Sequence, residues 1–131
     1  MNPSFRYLPF IGRVLIAIIF VLSGLSKIGN PAGTQAYIAA AGLPLPELAL
    51  WISVVIETLG GVLLIVGYQT RAVAAVVALF TLAAAFAFHT NFADQNQMIH
   101  FLKNICMTGG LLQVVAFGAG PFSLDARFGK A

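Results

Sequence analysis

Charge is what this chain has least of. Seven basic and four acidic residues are its only formal charges in 131 residues, or 8%, where a soluble domain carries roughly 25%. A folded chain this short exposes much of its surface, and so few charges cannot coat it. That excludes a soluble globular domain, and a hydrophobic content of 60% excludes a disordered chain. Cysteine is nearly missing. Cys106 stands alone, which rules out an intrachain disulfide, a disulfide scaffold, a CxxC redox pair and a multi-cysteine metal site. Basic clusters are also lacking. The net charge of +3 and pI near 9.4 therefore do not point to nucleic acid. No nucleotide loop, Ser-His-Asp set or zinc motif occurs, and Gly60-Gly61 sits inside an apolar run rather than in a phosphate loop. What the chain does have is long apolar sequence, with a mean hydropathy of +0.93. An integral membrane protein is the class that remains.

A helix needs about 20 mostly apolar residues to cross a bilayer. Four stretches qualify: about Leu8 to Ile28, Glu47 to Gly67, Arg71 to Phe92, and Met98 to Gly118. Helices are expected because lipid offers no partners to open backbone groups, and the runs are too long and unbroken for barrel strands. The expectation is an all-α, antiparallel four-helix transmembrane bundle forming one domain over residues 1–131. Gly67-Tyr68-Gln69-Thr70 is a tight turn, so spans two and three form a hairpin. Asn91 to Gln97 links spans three and four. In the longer first link, Pro31 after Asn30 reads as a helix start and Gly42-Leu43-Pro44 as a stop. Between them, Gly33 to Ala41 is expected to form a short interfacial helix, with Tyr37 and Ile38 resting on the membrane surface or covering the bundle.

Arg13 interrupts the first apolar run and no A-x-A-like site follows, so this run reads as an uncleaved span rather than a signal peptide. Four spans put both termini and the second link on one side, with Arg6, Arg13, Arg71, Arg127 and Lys130. The positive-inside rule makes that side cytoplasmic. The localisation expected is a bacterial inner membrane, multi-pass. A faint internal echo is also visible. Gly12-Arg13 and Thr70-Arg71 each open a span, and Glu57-Thr58-Leu59-Gly60-Gly61 resembles Cys106-Met107-Thr108-Gly109-Gly110. A duplicated hairpin explains this, and so does the general abundance of Gly pairs in packed membrane helices.

Ionisable groups within a span cost about 2.5–3.5 kcal/mol each and usually face a bundle interior. Here they share faces. Span four carries His100, Lys103, Asn104, Met107 and Thr108 on one stripe, opposite the apolar Phe101, Leu102, Ile105 and Leu112. Span one has Arg13, Phe20, Ser23 and Lys27 at spacings of seven, three and four. Span two has Ser53, Glu57, Gly60, Gly61 and Leu64. Span three has Thr81, Ala85, Phe88, His89 and Phe92. Turning these stripes inward gives a polar funnel. At about 1.5 Å per residue, Lys27, His89 and His100 lie within roughly 5 Å of the outer surface, Lys103 and Asn104 about 8–9 Å down, and Glu57 about 15 Å down. Lys103 is long enough to reach toward Glu57, and Arg13 enters from the other side. Either could pair with it.

The order and spacing of several motifs resemble the DoxX family of small four-helix membrane proteins. They are Gly12-Arg13 through Phe20, Ser23-Gly24 and Lys27; Asn30-Pro31-Ala32-Gly33-Thr34 with Ala40-Ala41-Gly42-Leu43-Pro44; Glu57 with Gly60-Gly61, Gly67 and Thr70-Arg71; and His100-Phe101-Leu102-Lys103-Asn104 with Gly109-Gly110. The likeness spans about residues 10 to 127. It implies a four-helix inner-membrane protein of a group often labelled as oxidoreductases, although most members have no established activity. A related member is a small subunit of a thiosulfate:quinone oxidoreductase, and others are linked to quinone or thiol stress responses. Arg13, Lys27, Glu57, Lys103 and Asn104 match the family's recurrent polar positions. Electron transfer would need a bound quinone or a partner.

Glu57 is thus a candidate proton-handling acid, its alternative being a structural ion pair that fixes helix register. Lys103 is the second catalytic candidate. Asn104, His100, His89, Lys27 and Arg13 are candidate ligand-binding residues for a quinone carbonyl or a small anion. The two histidines are more simply wet interfacial anchors than haem ligands, and no metal site is expected. Phe86, Phe88, Phe92 and Phe101 could hold a flat ring or only pack. Cys106 reads as a buried thiol, Trp51 and Tyr68 as interfacial anchors. The leading expectation is a small membrane subunit or accessory of quinone-linked thiol or sulfur-compound redox metabolism, with no covalent cofactor. The partners that follow are the lipid bilayer, a quinone or small anionic substrate, a soluble oxidoreductase, and further copies of the chain. The alternatives are an oligomeric carrier or channel coupled through Glu57, or a structural partner of another enzyme.

Overall fold

The computed structural model describes residues 2–130. It is helical throughout, with no strand among the described residues. After a 3-10 turn at Pro3–Phe5, α1 runs Leu8–Gly29 and α2 Pro31–Ala40. The second span, α3, is Pro46–Val66. It is followed by α4 (Thr70–Phe88), α5 (Gln95–Phe117) and a short α6 (Leu124–Arg127). Helices α1, α3, α4 and α5 are each long and apolar enough to cross a membrane.

Local chemistry sets the ends. Asn30 closes α1, and its side chain accepts the Gly33 amide at 3.1 Å to open α2, with Pro31 in the first turn, where a missing N–H costs nothing. The short helix of the first link is therefore present, starting two residues earlier than Gly33. Pro46 opens α3 in the same way. The third span stops at Phe88 rather than near Phe92, because the polar link begins at His89. The fourth starts at Gln95, where Asp94 accepts the Asn96 amide at 2.9 Å. At the far end of α3, Gly67 takes a φ of +73°, and a Cβ there would sit 2.4 Å from Ser123 Cβ, so both the turn and the close approach of the C-terminal segment require glycine.

Spans α1 and α3 cross closely because small residues meet. A Cβ on Gly24 would lie 2.0 Å from Thr58 Oγ1, and one on Gly61 2.6 Å from Val21 Cγ2, the small-residue packing expected where lipid supplies no hydrophobic drive between helices. The main core is Ala17, Phe20, Leu64, Ala74, Val77, Ala78 and Leu111. A second cluster, Ile38, Leu50 and Val54 with Phe88 against it, seats α2 on α3 and α4. Between residues 55 and 59, α3 widens into one π-helical turn. Glu57, Gly60, Gly61 and Leu64 are buried together on one face of α3. The predicted stripes of α1 and α3 do face inward. On α5 the inward set is rotated to Asn104, Met107, Thr108 and Leu111, leaving His100 and Lys103 exposed. Phe92 is exposed as well, since it lies beyond the end of α4. Cys106 is likewise exposed, not buried.

Candidate functional site

At the end of the bundle covered by α2 lies a cavity of about 230 Å³. Its polar floor is an ion pair. Lys27 Nζ donates to both Glu57 carboxylate oxygens at 2.8 and 2.9 Å, and to Ser23 Oγ at 2.9 Å. The three ammonium donors are thereby all used. The Glu57 side chain is 6% exposed and that of Lys27 23%, so the acid is sealed and the base faces the opening. Neither Lys103 nor Arg13 pairs with Glu57. The Gly24–Thr58 contact explains why. It brings α1 against α3 one residue from Glu57, and Lys27 follows Gly24 by one turn on the same face.

Lys103 projects from the outer side of α5. Its neighbour Asn104 turns inward, lines the cavity and donates from Nδ2 to the Thr81 carbonyl at 3.2 Å. His89 also lines the cavity, and its ring lies 5.2 Å from the exposed His100, centroid to centroid. Among the described residues these two do not gather the third His, Cys, Asp or Glu side chain that holding a metal ion would require. The predicted aromatic set divides. Phe88 lines the cavity and stacks on Tyr37 at 5.2 Å. Phe101 instead packs edge-on against Phe86 and Phe92, at 5.3 and 5.1 Å. Phe80 and Thr34 also line the cavity. Sequence reasoning missed Phe80, although its spacing to Ala84 and Phe88, i, i+4 and i+8, places all three on one helix face.

Arg13 is 2% exposed and serves a different purpose. Its Nη1 donates to the Leu64 and Ile65 carbonyls at 2.7 and 2.9 Å, its Nε to the Ala119 carbonyl at 3.0 Å, and its Nη2 to the Phe122 carbonyl. Leu64 and Ile65 belong to the last turn of α3, whose carbonyls have no helical partner. The fork of the guanidinium suits that task. Arg71 does the same for α5, donating from Nη1 to the Ala116 and Val115 carbonyls at 2.8 and 3.3 Å. The sequence echo thus corresponds to a repeated device: the arginine opening each hairpin caps the helix that ends it.

A buried acid was missed at this same end. Asp125 is 5% exposed and accepts the Gln69 and Thr70 amides, each at 2.8 Å, capping α4 from the C-terminal segment. Desolvation opposes its charge, but hydrogen bonds from Thr70 and Gln69 and the nearby Lys130 outweigh it and hold the carboxyl below the usual aspartate range. Its sequence neighbourhood is unremarkable, and only the fold carries it to α4.

The DoxX profile matches residues 8–90. The chain belongs to the DoxX family. It is 38% identical to the inner membrane protein YqjF of Escherichia coli (strain K12), over 92% of this chain and 91% of that protein. It is 35% identical to the inner membrane protein YphA of the same strain, over 89% and 87%. A third relative, named "Putative oxidoreductase CatD" in Bacillus subtilis (strain 168), is 37% identical over 64% of this chain and 61% of that protein. No solved structure matches. With four apolar helices and inner-membrane relatives, this DoxX protein is a multi-pass membrane protein. Of the polar residues singled out in the sequence, its cavity brings together Lys27, Glu57, Asn104 and His89.

Proposed function

We propose that this DoxX protein binds a quinone or a similarly small oxidisable ligand in the cavity above the Lys27–Glu57 pair, as a membrane component of quinone-linked thiol or sulfur-compound redox metabolism. The observation that carries this reading is the ion pair itself, buried against Ser23 and roofed by aromatic rings. A ring between Phe80, Phe88 and Tyr37 would place an oxygen within reach of Lys27. Donation to that oxygen draws the ammonium away from Glu57. The carboxylate is then free to accept or donate the protons of two-electron quinone chemistry. Asn104 supplies a second polar contact, and His89 with His100 a route for protons to the surface. Lys27 takes the place first given to Lys103, while Arg13 stays with the helix caps.

In the bilayer, the arginine-rich end with both termini faces the cytoplasm by the positive-inside rule, and the cavity opens toward the opposite side. The oxidoreductase label of CatD agrees with the redox reading. A soluble oxidoreductase would supply or receive the electrons.

The test is a titration of the protein in nanodiscs with a decyl-substituted benzoquinone, read by quenching of its single tryptophan, Trp51, and by calorimetry. Saturable binding is expected, weakened at least tenfold by Glu57→Gln, a loss of about 1.4 kcal/mol. Equal binding by wild type and Glu57→Gln would remove the acid from the site. Quinone-independent proteoliposome flux that requires Glu57 would move the protein to the carrier class.

A further inference from the structure

Behind its aromatic wall the polar cavity has a neighbour. A second hollow, about 410 Å³, lies between α3 and α4 under α2 and the first link. The two share Ile38, Ser53, Phe80, Ala84 and Phe88. Away from the shared wall the second hollow is apolar, and it reaches the outer face of the bundle at Ile52 and Ala83, both exposed. That face meets acyl chains, not water. Its trough exists because α4 presents Ala83, Ala84 and Ala87 where larger side chains would close it. The chamber alone, at about 230 Å³, falls below the usual range for ligand pockets of about 300–1,000 Å³. It accommodates a small ring but not a long chain attached to one.

We infer that the ligand is a membrane-dissolved amphiphile, a ring-sized polar head on a long apolar tail, which enters sideways between α3 and α4. The head sits on Lys27 and Glu57, and the tail leaves through the alanine-walled groove into the bilayer. This rests on the reading of the cavity as a ligand chamber and adds the class of ligand and its route. The adjacency of the two hollows across one shared wall, one polar and the other apolar, commits the groove to the tail of the same molecule. A water-soluble substrate would have no use for it. Binding of the tail here is a matter of steric permission more than attraction, because the tail is already in an apolar medium. Blocking the groove therefore excludes the tailed ligand and spares the tailless one.

The experiment compares wild type with Ala87→Phe, at a position that lines the second hollow and not the polar chamber, in nanodiscs, using two probes: dimethoxy-methyl-benzoquinone without a tail, and its decyl derivative. Ala87→Leu replaces Ala87→Phe if the latter melts much earlier than wild type. The expected result is a loss of tenfold or more for the decyl compound, with tailless binding within a factor of about two, since tenfold corresponds to about 1.4 kcal/mol. An equal loss for both probes, or none for either, overturns the tail route. If wild type binds neither quinone, the quinone reading fails by itself, and the groove is judged by a phospholipid carrying a diazirine at the end of one acyl chain. Labelling concentrated at Ile52 and Ala83–Ala87, and removed by the substitution, supports an apolar-tail site. Labelling spread evenly over lipid-facing residues such as Leu79 and Leu112 overturns it.

Discussion

Removing Lys27 tests whether its charge is needed by Glu57 or is merely near it. In Lys27→Met the carboxylate, 6% exposed, loses its counter-charge and all the bonds that Lys27 supplies. Breaking a buried pair by deleting one partner costs about 3–5 kcal/mol, most of it for the uncompensated charge left behind. Glu57→Gln should cost less, about 1–2 kcal/mol, because the ammonium left over is 23% exposed and can turn toward the opening, and the amide still accepts one bond. In the double variant no charge is stranded, so its loss should be smaller than the sum by 1.5 kcal/mol or more, roughly the coupling seen for contacting residues. Thermal melting in detergent measures all four proteins. Equal, additive losses would show that the two charges do not depend on each other, and the chamber would lose its polar floor.

The other predictions concern the packing that builds the site. Gly24→Ala should lower stability by about 1–3 kcal/mol, because the new methyl meets Thr58 Oγ1 at 2.0 Å, and Thr58→Ala should return part of the loss; an unchanged melting temperature would mean that the close crossing does not set the pairing of Lys27 with Glu57. Arg13→Met leaves four carbonyls without their donor and should cost about 3 kcal/mol or more. It should also speed tryptic cleavage at Arg127, and an unchanged cleavage rate would refute the clasp. For Asp125 the folded pKa lies below the unfolded one, so its contribution is complete above the usual aspartate range and is lost as pH falls through the lowered folded value. Asp125→Asn should melt earlier at neutral pH by about 1–2 kcal/mol and lack that acid-side slope, as followed by thermal melts between about pH 2 and 7.

Periodicity and composition were enough for the spans, the short helix over the cavity and the inward faces of α1 and α3, because each follows from local rules: apolar length, a proline at a helix start, polar residues three and four apart. They also singled out Glu57, since an acid deep in an apolar run has few places to go. Its partner was another matter. Lys103 and Arg13 were the partners in view, within plausible reach of a carboxylate in a bundle whose crossing angles and axial offsets are unknown, and only the seating of Gly24 on Thr58 brings in Lys27 instead. The same limit hid Asp125 and the helix-capping work of Arg13 and Arg71, for backbone carbonyls and amides have no residue type to read. A sequence pattern says which way a side chain faces on its own helix. What stands opposite it depends on how two helices meet, and that is a property of the packed bundle alone.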